Sequence, residues 1–289
     1  MKLWGRGAII TGASRGLGRA IAARLLREGA SVVLAARGGE ALRIAAEDLT
    51  AVAPEPDQRV VWQAADVSRP GDVQLLVKRA HDSLGRVDIL VCNAAILGPL
   101  GAVQEVSWED WVRTVEINLF GAVLCCRAVL PIMRRQGSGK IILLSGGGAT
   151  RPQPRMSAYA ASKTAVVRFA ETLAEEVGES GIEVNAVAPG ALNTRFLEQV
   201  LAAGPERVGA DLYQQSLRQK SDGGADPEVA AELVAFLASS EGDGISGRLI
   251  SAVWDEWRDL PAQRPRLAGS DVYTLRRIVP EDRGWRTQP

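Results

Sequence analysis

The sequence predicts a doubly wound α/β fold, with helices on both faces of a mainly parallel sheet of about seven strands. Two observations carry this expectation: short apolar runs alternate with stretches of helical periodicity, and a glycine-rich turn joins the first run directly to the first helix. At 289 residues, 46% hydrophobic and 24% charged, the chain can bury one large core. Lys plus Arg balance Asp plus Glu at 34 each, so no net field draws it to nucleic acid or an acidic membrane. A small molecule is the expected partner.

The first four apolar runs, residues 8–10, 32–35, 60–63 and 87–91, are short enough for strands buried on both faces. The first helix starts near Gly16, sets Leu17, Ala20, Ile21 and Leu25 at helical spacing, and stops at Gly29. Residues 108–133 read as one long helix and 140–144 as a fifth strand. Ser157–Val177 follows as a helix whose Ala165, Phe169, Leu173 and Val177 share one apolar stripe, and 182–187 make a sixth strand. From 190 to 226 strand character is lost. A helical pattern at 196–203 breaks at Gly204-Pro205, so a lid over a site is expected here. Pro227–Ala238 returns to helix and 248–251 to a last short strand. One Rossmann-type domain over residues 1–253 follows, with 254–289 as a C-terminal extension rich in Trp, Arg, Asp and Pro.

Some chemistries are disfavoured at this point. Cys92, Cys125 and Cys126 lack metal-ligand spacing and read as buried free thiols, so no metal site is expected. The only histidine, His81, lies among Lys78, Arg79 and Asp82 on a surface helix, away from any serine-hydrolase arrangement. Residues 1–6 carry no signal-length apolar run and no stretch approaches the roughly 18 apolar residues of a membrane span, so a cytoplasmic location is expected.

Between the first strand and helix stands Thr11-Gly12-Ala13-Ser14-Arg15-Gly16-Leu17-Gly18, where glycines let the backbone approach a pyrophosphate and a helix N-terminus stabilises its charge. The second strand ends Leu34-Ala35-Ala36-Arg37, without the acidic residue that would receive the ribose 2′-hydroxyl of NAD. Arg37 and Arg15 are either solvated surface groups or forked donors to a 2′-phosphate. NADP(H) is the expected cofactor, with NAD(H) left open. Further on, Tyr159 and Lys163 stand four apart on one helix face. A nearby cation favours the phenolate and so makes the phenol's proton labile, which suits proton exchange with a carbonyl or alcohol oxygen.

Taken with the turn, this pair closely resembles the classical short-chain dehydrogenase/reductase family over about residues 6–250. The resemblance implies an oxidoreductase moving a hydride between nicotinamide and a carbonyl or alcohol, here a ketoreductase, assembled as a homodimer or homotetramer. It implies that Tyr159 is the general acid/base and that Lys163 lowers its pKa while holding the nicotinamide ribose. Asn118 resembles the family's helix-kinking asparagine of the proton relay. Asp66-Val67 matches the pair that contacts adenine, Asn93-Ala94 the segment behind the cofactor, and Pro189-Gly190 with Thr194 the loop around the carboxamide.

Three departures qualify the likeness. Strand four ends Cys92-Asn93-Ala94-Ala95 instead of Asn-Asn-Ala-Gly. The family's serine, thirteen residues before the tyrosine, is replaced by Gly146, and the nearest hydroxyl is Ser145. Strand alternation points 145 and 146 to opposite faces. Either Gly146-Gly147-Gly148 turns early and swings Ser145 toward the substrate oxygen, the reading preferred for the catalytic set, or a backbone N–H of the glycine run polarises that oxygen. A non-catalytic dinucleotide-binding regulatory or scaffold protein is the alternative that Gly146 favours. The third departure is the extension, whose apolar residues are expected to pack over the lid or across a subunit boundary.

Overall fold

Buried along its whole length, β1 (Gly7–Thr11) needs cover on both faces, and a single right-handed crossover on either side of the sheet supplies it. The computed structural model describes residues 1–285. After β1 come α1 (Gly16–Arg27), β2 (Ser31–Ala36), α2 (Gly39–Ala51), β3 (Val60–Ala64), α3 (Pro70–Leu84) and β4 (Ile89–Cys92). The second half adds α4 (Trp108–Val115), α5 (Gly121–Gln136), β5 (Gly139–Leu144), α6 (Ser157–Val177) and β6 (Ile182–Ala188). It closes with α7 (Arg195–Val208), α8 (Ala210–Ser221), α9 (Pro227–Ala238), β7 (Leu249–Ser251) and α10 (Leu260–Leu267). The seven strands lie in the order β3-β2-β1-β4-β5-β6-β7 and every pairing is parallel.

One face of the sheet is covered by α1, α2 and α9, through Ile21, Leu25, Leu42, Leu233 and Phe236. The other is covered by α3, α5 and α6, through Leu76, Val129, Met133, Val167 and Leu173. Connections leave β1 and β4 toward opposite ends of the sheet, so a crevice opens beyond their C-terminal ends, where ligands of such sheets bind.

The single long helix expected over 108–133 is interrupted. Residues Glu116–Phe120 widen by one residue, and the Gly121 N–H reaches back to the carbonyl of Glu116. The run Trp108–Gln136 is also long and apolar enough, by length and composition, to cross a membrane, a stretch that a search for uninterrupted apolar residues passes over. In this fold Ile117, Ala122, Cys125, Cys126, Val129 and Met133 turn its inner face into the core.

The 190–226 segment forms two helices, α7 and α8, above the crevice, and a parallel bridge between Leu192 and Ala225 ties its base. The helical geometry of α7 breaks at Gly204 (φ 75°, ψ 164°), at the expected Gly-Pro step. The extension is no loose appendage. Trp257, Leu260 and Leu267 are buried in the same core as α1 and α9. Beyond them the chain runs along the free edge of β7, where the Leu249 N–H donates to the Tyr273 carbonyl at 2.7 Å. The Arg248 guanidinium donates to the carbonyls of Leu267, Ser270 and Val272. The Leu275 N–H donates to the Glu171 carboxylate on α6 at 2.6 Å. Packing is therefore on the β7 edge of its own chain, which satisfies groups an open edge would leave unpaired, and not over the lid; residues 286–289 lie outside the described residues.

Trp257 anchors this arrangement. Its ring lies 5.3 Å from that of Phe236, 4.0 Å under the Arg258 guanidinium, and its Nε1–H donates to the Ala252 carbonyl at 3.2 Å. Trp257→Ala is expected to cost about 3–5 kcal/mol, the range for emptying a buried aromatic site, read as a lowered urea midpoint. A midpoint within error of wild type would mean that the extension is energetically separate from the core.

Candidate active site

Everything at the crevice hangs from the ends of β1 and β4. The buried Thr11 hydroxyl accepts from the N–H groups of Asn93 and Ala94, both at 3.0 Å, and donates to the Val91 carbonyl at 3.3 Å. Asn93 Nδ2 returns bonds to the carbonyls of Thr11 (2.9 Å) and Gly12 (3.2 Å). The glycine-rich turn is thereby pinned against strand four. No room remains at Gly18, where a Cβ would meet the Gly12 carbonyl at 2.4 Å. Gly16 differs: it has φ +55° and faces open space, so the backbone itself forms the crevice floor. No side chain caps α1, and its first N–H groups are left for an anion.

A cleft of about 1660 Å³ runs over this floor, lined by Gly12, Ser14, Arg15, Gly16, Leu17 and Gly18 at one end and by the lid at the other. Arg15 and Arg37 stand exposed at its rim, and among the described residues neither guanidinium has an ion-pair or hydrogen-bond partner. Asp66 and Val67 also line it. The Asp66 carboxylate is already engaged, accepting from the Ser68 hydroxyl (2.6 Å), the Ser68 N–H (3.0 Å) and Arg113 (2.7 Å). Burial opposes its charge, but those bonds prevail and hold the carboxyl below its usual range. Arg113 is a partner that the sequence pattern did not single out.

Deeper in, Asn118 sits in the widened turn and is buried. It accepts from the Ile96 N–H (2.8 Å) and donates to the Ile96 carbonyl (2.9 Å) and to Ser162 Oγ (3.0 Å). The Ser162 hydroxyl donates onward to the Tyr159 carbonyl at 2.8 Å. Ser162 is thus the link between the turn and the tyrosine's backbone, a role hidden in a motif whose outer residues alone carry obvious chemistry. The Lys163 ammonium donates to the Leu144 carbonyl at 2.7 Å and lies 5.8 Å from the centre of the Tyr159 ring.

The pair does not titrate as the spacing implies. Burial pushes the Tyr159 hydroxyl up to about 12 and the Lys163 ammonium down to about 8, because taking either charge out of water is costly. Desolvation is what moves the phenol.

The serine question is answered by backbone geometry. Gly146 is fully extended (φ −172°, ψ 171°), so the chain does not turn early and strand alternation persists through 145 and 146. Ser145 is buried with its hydroxyl toward the Lys163 carbonyl at 3.5 Å. Gly146 is the residue facing the tyrosine: a Cβ there would lie 2.8 Å from the Tyr159 hydroxyl. The expected swing of Ser145 toward the reacting oxygen is absent.

On the far side, Pro189, Gly190 and Thr194 line the cleft, and the Thr194 hydroxyl accepts from the Phe196 N–H to start α7. Leu97, Met156, Val200 and Val208 make an apolar wall with Phe196, whose ring meets that of Tyr159 edge to face at 5.8 Å. Trp254 and Asp255 bring the start of the extension to the cleft mouth.

Comparison with known proteins follows the same outline. The short chain dehydrogenase family profile matches residues 6–203. The chain is 35% identical over 237 residues to the 2-dehydro-3-deoxy-L-rhamnonate dehydrogenase (NAD(+)) of Sphingomonas sp. (strain SKA58), covering 82% of this chain and 89% of that protein. Among solved structures it is similar to levodione reductase (TM-score 0.79, 31% identity, 90% of this chain and 99% of that one). It is also similar to an actinorhodin polyketide ketoreductase variant with NADPH (TM-score 0.77, 29% identity, 85% and 95%).

The buried lysine makes a prediction that needs no substrate. Its folded pKa of about 8 lies below its ordinary value of 10.5, so between these values the unfolded chain binds more protons and stability rises with pH. The gain is about 3 kcal/mol, at 1.36 kcal/mol per unit. Chemical denaturation of wild type and Lys163→Met across that window is expected to show the rise in wild type only; parallel pH profiles would place the ammonium in water.

Proposed function

The chain belongs to the short-chain dehydrogenase/reductase family, enzymes that act on alcohols and carbonyls with NAD(P), and on that footing we propose that it is an NADP(H)-dependent ketoreductase. The residues present fit a dinucleotide. An uncapped helix N-terminus over the Gly16 floor suits the pyrophosphate, and two unpaired guanidinium groups at the rim suit a 2′-phosphate. This last feature carries the preference for NADP(H). NAD(H) is the competing cofactor, as the name of the Sphingomonas relative illustrates.

When bound, the dinucleotide supplies or accepts the hydride. The chain's own residues handle the proton. Tyr159, with its hydroxyl kept protonated by burial, gives a proton to the carbonyl oxygen in reduction and takes one back in alcohol oxidation. Lys163, fixed on the Leu144 carbonyl, holds positive charge beside the developing phenolate. Asn118 and Ser162 hold the tyrosine's helix in place and offer a polar route away from it. Leu97, Phe196 and Met156 keep water off the reacting carbon. Ser145 has no part in this scheme; the oxygen is polarised by Tyr159 and by a backbone N–H of the glycine run Gly146-Gly147-Gly148. A cytoplasmic homodimer or homotetramer completes the proposal, and the exposed Trp108 and Phe120 on the long helix support assembly.

Two measurements test it. With NADPH and a panel of ketones, Tyr159→Phe is expected to bind cofactor normally while turnover falls at least about 10²-fold, the loss typical for a general acid; near wild-type turnover would remove Tyr159 from the chemistry. Arg37→Ala is expected to weaken NADPH binding by about tenfold and NADH binding hardly at all, since a charge-assisted bond to one phosphate is lost. Equal weakening of both would refute the 2′-phosphate contact.

A further inference from the structure

The glycine run beside Tyr159 has two polar neighbours that the scheme above does not use. The point a Cβ would take at Gly147 lies 3.5 Å from Gln153 Nε2 and 4.0 Å from Arg151 Nη2, and no other heavy atom is within 4 Å apart from the chain neighbours. At Gly148 the same construction meets Gln153 Oε1 at 2.9 Å and Ala160 at 3.0 Å. The Gln153 amide thus lies along the run, with Oε1 over Gly148 and Nε2 over Gly147. Gly147 follows the residue that faces the Tyr159 hydroxyl, and consecutive Cα atoms are about 3.8 Å apart. Gly146, Gly147, Arg151, Gln153 and Tyr159 line one cleft.

Neither polar side chain is satisfied. Gln153 Oε1 is a buried atom with no hydrogen-bond partner, and among the described residues Arg151 has no ion pair or hydrogen bond. The acidic groups of the cleft do not fill the gap. Asp66 is held by Arg113, Asp255 accepts from the Ser251 N–H, and Glu198 and Asp211 belong to the lid. Across the cleft the wall is apolar. The Gln153 Nε2 and Arg151 Nη2 donors both lie within 4.0 Å of one point beside Gly147, and two donors converging at the edge of an apolar pocket match a carboxylate on an otherwise apolar molecule; Gln153 Oε1, an acceptor, plays no part in that contact.

We propose that Arg151 and Gln153 form a carboxylate-reading pair, so that the preferred substrates are keto acids or the matching hydroxy acids, with the carboxylate on the glycine-run side of the reacting carbon. This rests on the ketoreductase reading but is separable from it. The full-length protein with NADPH is assayed on keto acids, among them an oxocyclohexanecarboxylate, each beside its methyl ester. Wild type is expected to favour the acid in kcat/KM by about 10- to 100-fold, the range of a hydrogen bond to a charged group. Arg151→Met and Gln153→Leu are each expected to shrink that ratio through KM for the acid. Cyclohexanecarboxylate, which cannot be reduced, is expected to raise the thermal midpoint of the wild-type holoprotein and not that of Arg151→Met.

Equal turnover of acid and ester by wild type, or equal losses on both in the variants, overturns the pair while leaving a working ketoreductase. If no carbonyl compound is reduced but cyclohexanecarboxylate still stabilises wild type and not Arg151→Met, the pair stands and the ketoreductase reading falls.

Discussion

The bond between the ends of β1 and β4 is the constraint from which the site follows. A hydroxyl can donate once and accept twice, and Thr11 does all three within the crevice. Replacing any of those bonds with an unpaired buried group would cost about 1–3 kcal/mol, so the turn after β1 and the loop after β4 are held as one piece. The floor at Gly16, the unfilled first turn of α1 and the Asn93 amide then have no independent freedom. The loop after β4 continues to Ile96, whose N–H and carbonyl both bind Asn118. Order at the cofactor end is in this way carried to the catalytic helix through backbone groups.

At that helix the governing effect is desolvation. Tyr159 and Lys163 come close enough for the ring and ammonium to interact, yet their burial moves both pKa values toward the neutral forms. A phenol pushed up stays protonated, and its anion, though the stronger base, is scarcely populated near neutral pH. A positive charge or a hydrogen-bond donor brought beside the hydroxyl would lower that pKa. The lysine responds in the opposite sense: an anion nearby would raise its pKa and secure its charge.

Much of the architecture could be read from the residues because buried parallel strands and amphipathic helices write strong periods. All seven strands lie within two residues of the apolar runs that announce them, and the Gly204-Pro205 step marks the break in α7. What escaped depends on tertiary placement. The docking of 268–275 on the β7 edge uses carbonyls and a guanidinium, which leave no periodic trace. Ser162 sits within a recognisable motif, but its link to Asn118 exists only once α6 lies against the widened turn. Ser145 was misplaced for a related reason: three glycines permit many backbone paths, and composition cannot tell a chain that stays extended at Gly146 and turns at Gly147–Ala149 from one that turns a residue sooner.

The glycine run is better understood as space than as loss. A serine at 146 would bring its Cβ within 2.8 Å of the Tyr159 hydroxyl, forcing the phenol to move by a few tenths of an ångström. A side chain at 148 would displace the Gln153 amide and press on the backbone of Ala160, in the same turn of α6 as the tyrosine. The two restrictions reinforce each other. With Gly146 the phenol can occupy the room a serine would claim, and with Gly148 an amide can reach the ground beside it. A polar contact delivered from residues 151–153, on a loop seated against the lid through Arg155 and the carbonyls of Glu206 and Arg207, would respond to lid position in a way that a strand-borne serine could not. Neighbouring sites in contact are coupled, so a hydroxyl placed at 146 would act on the phenol's position as well as on the reacting oxygen.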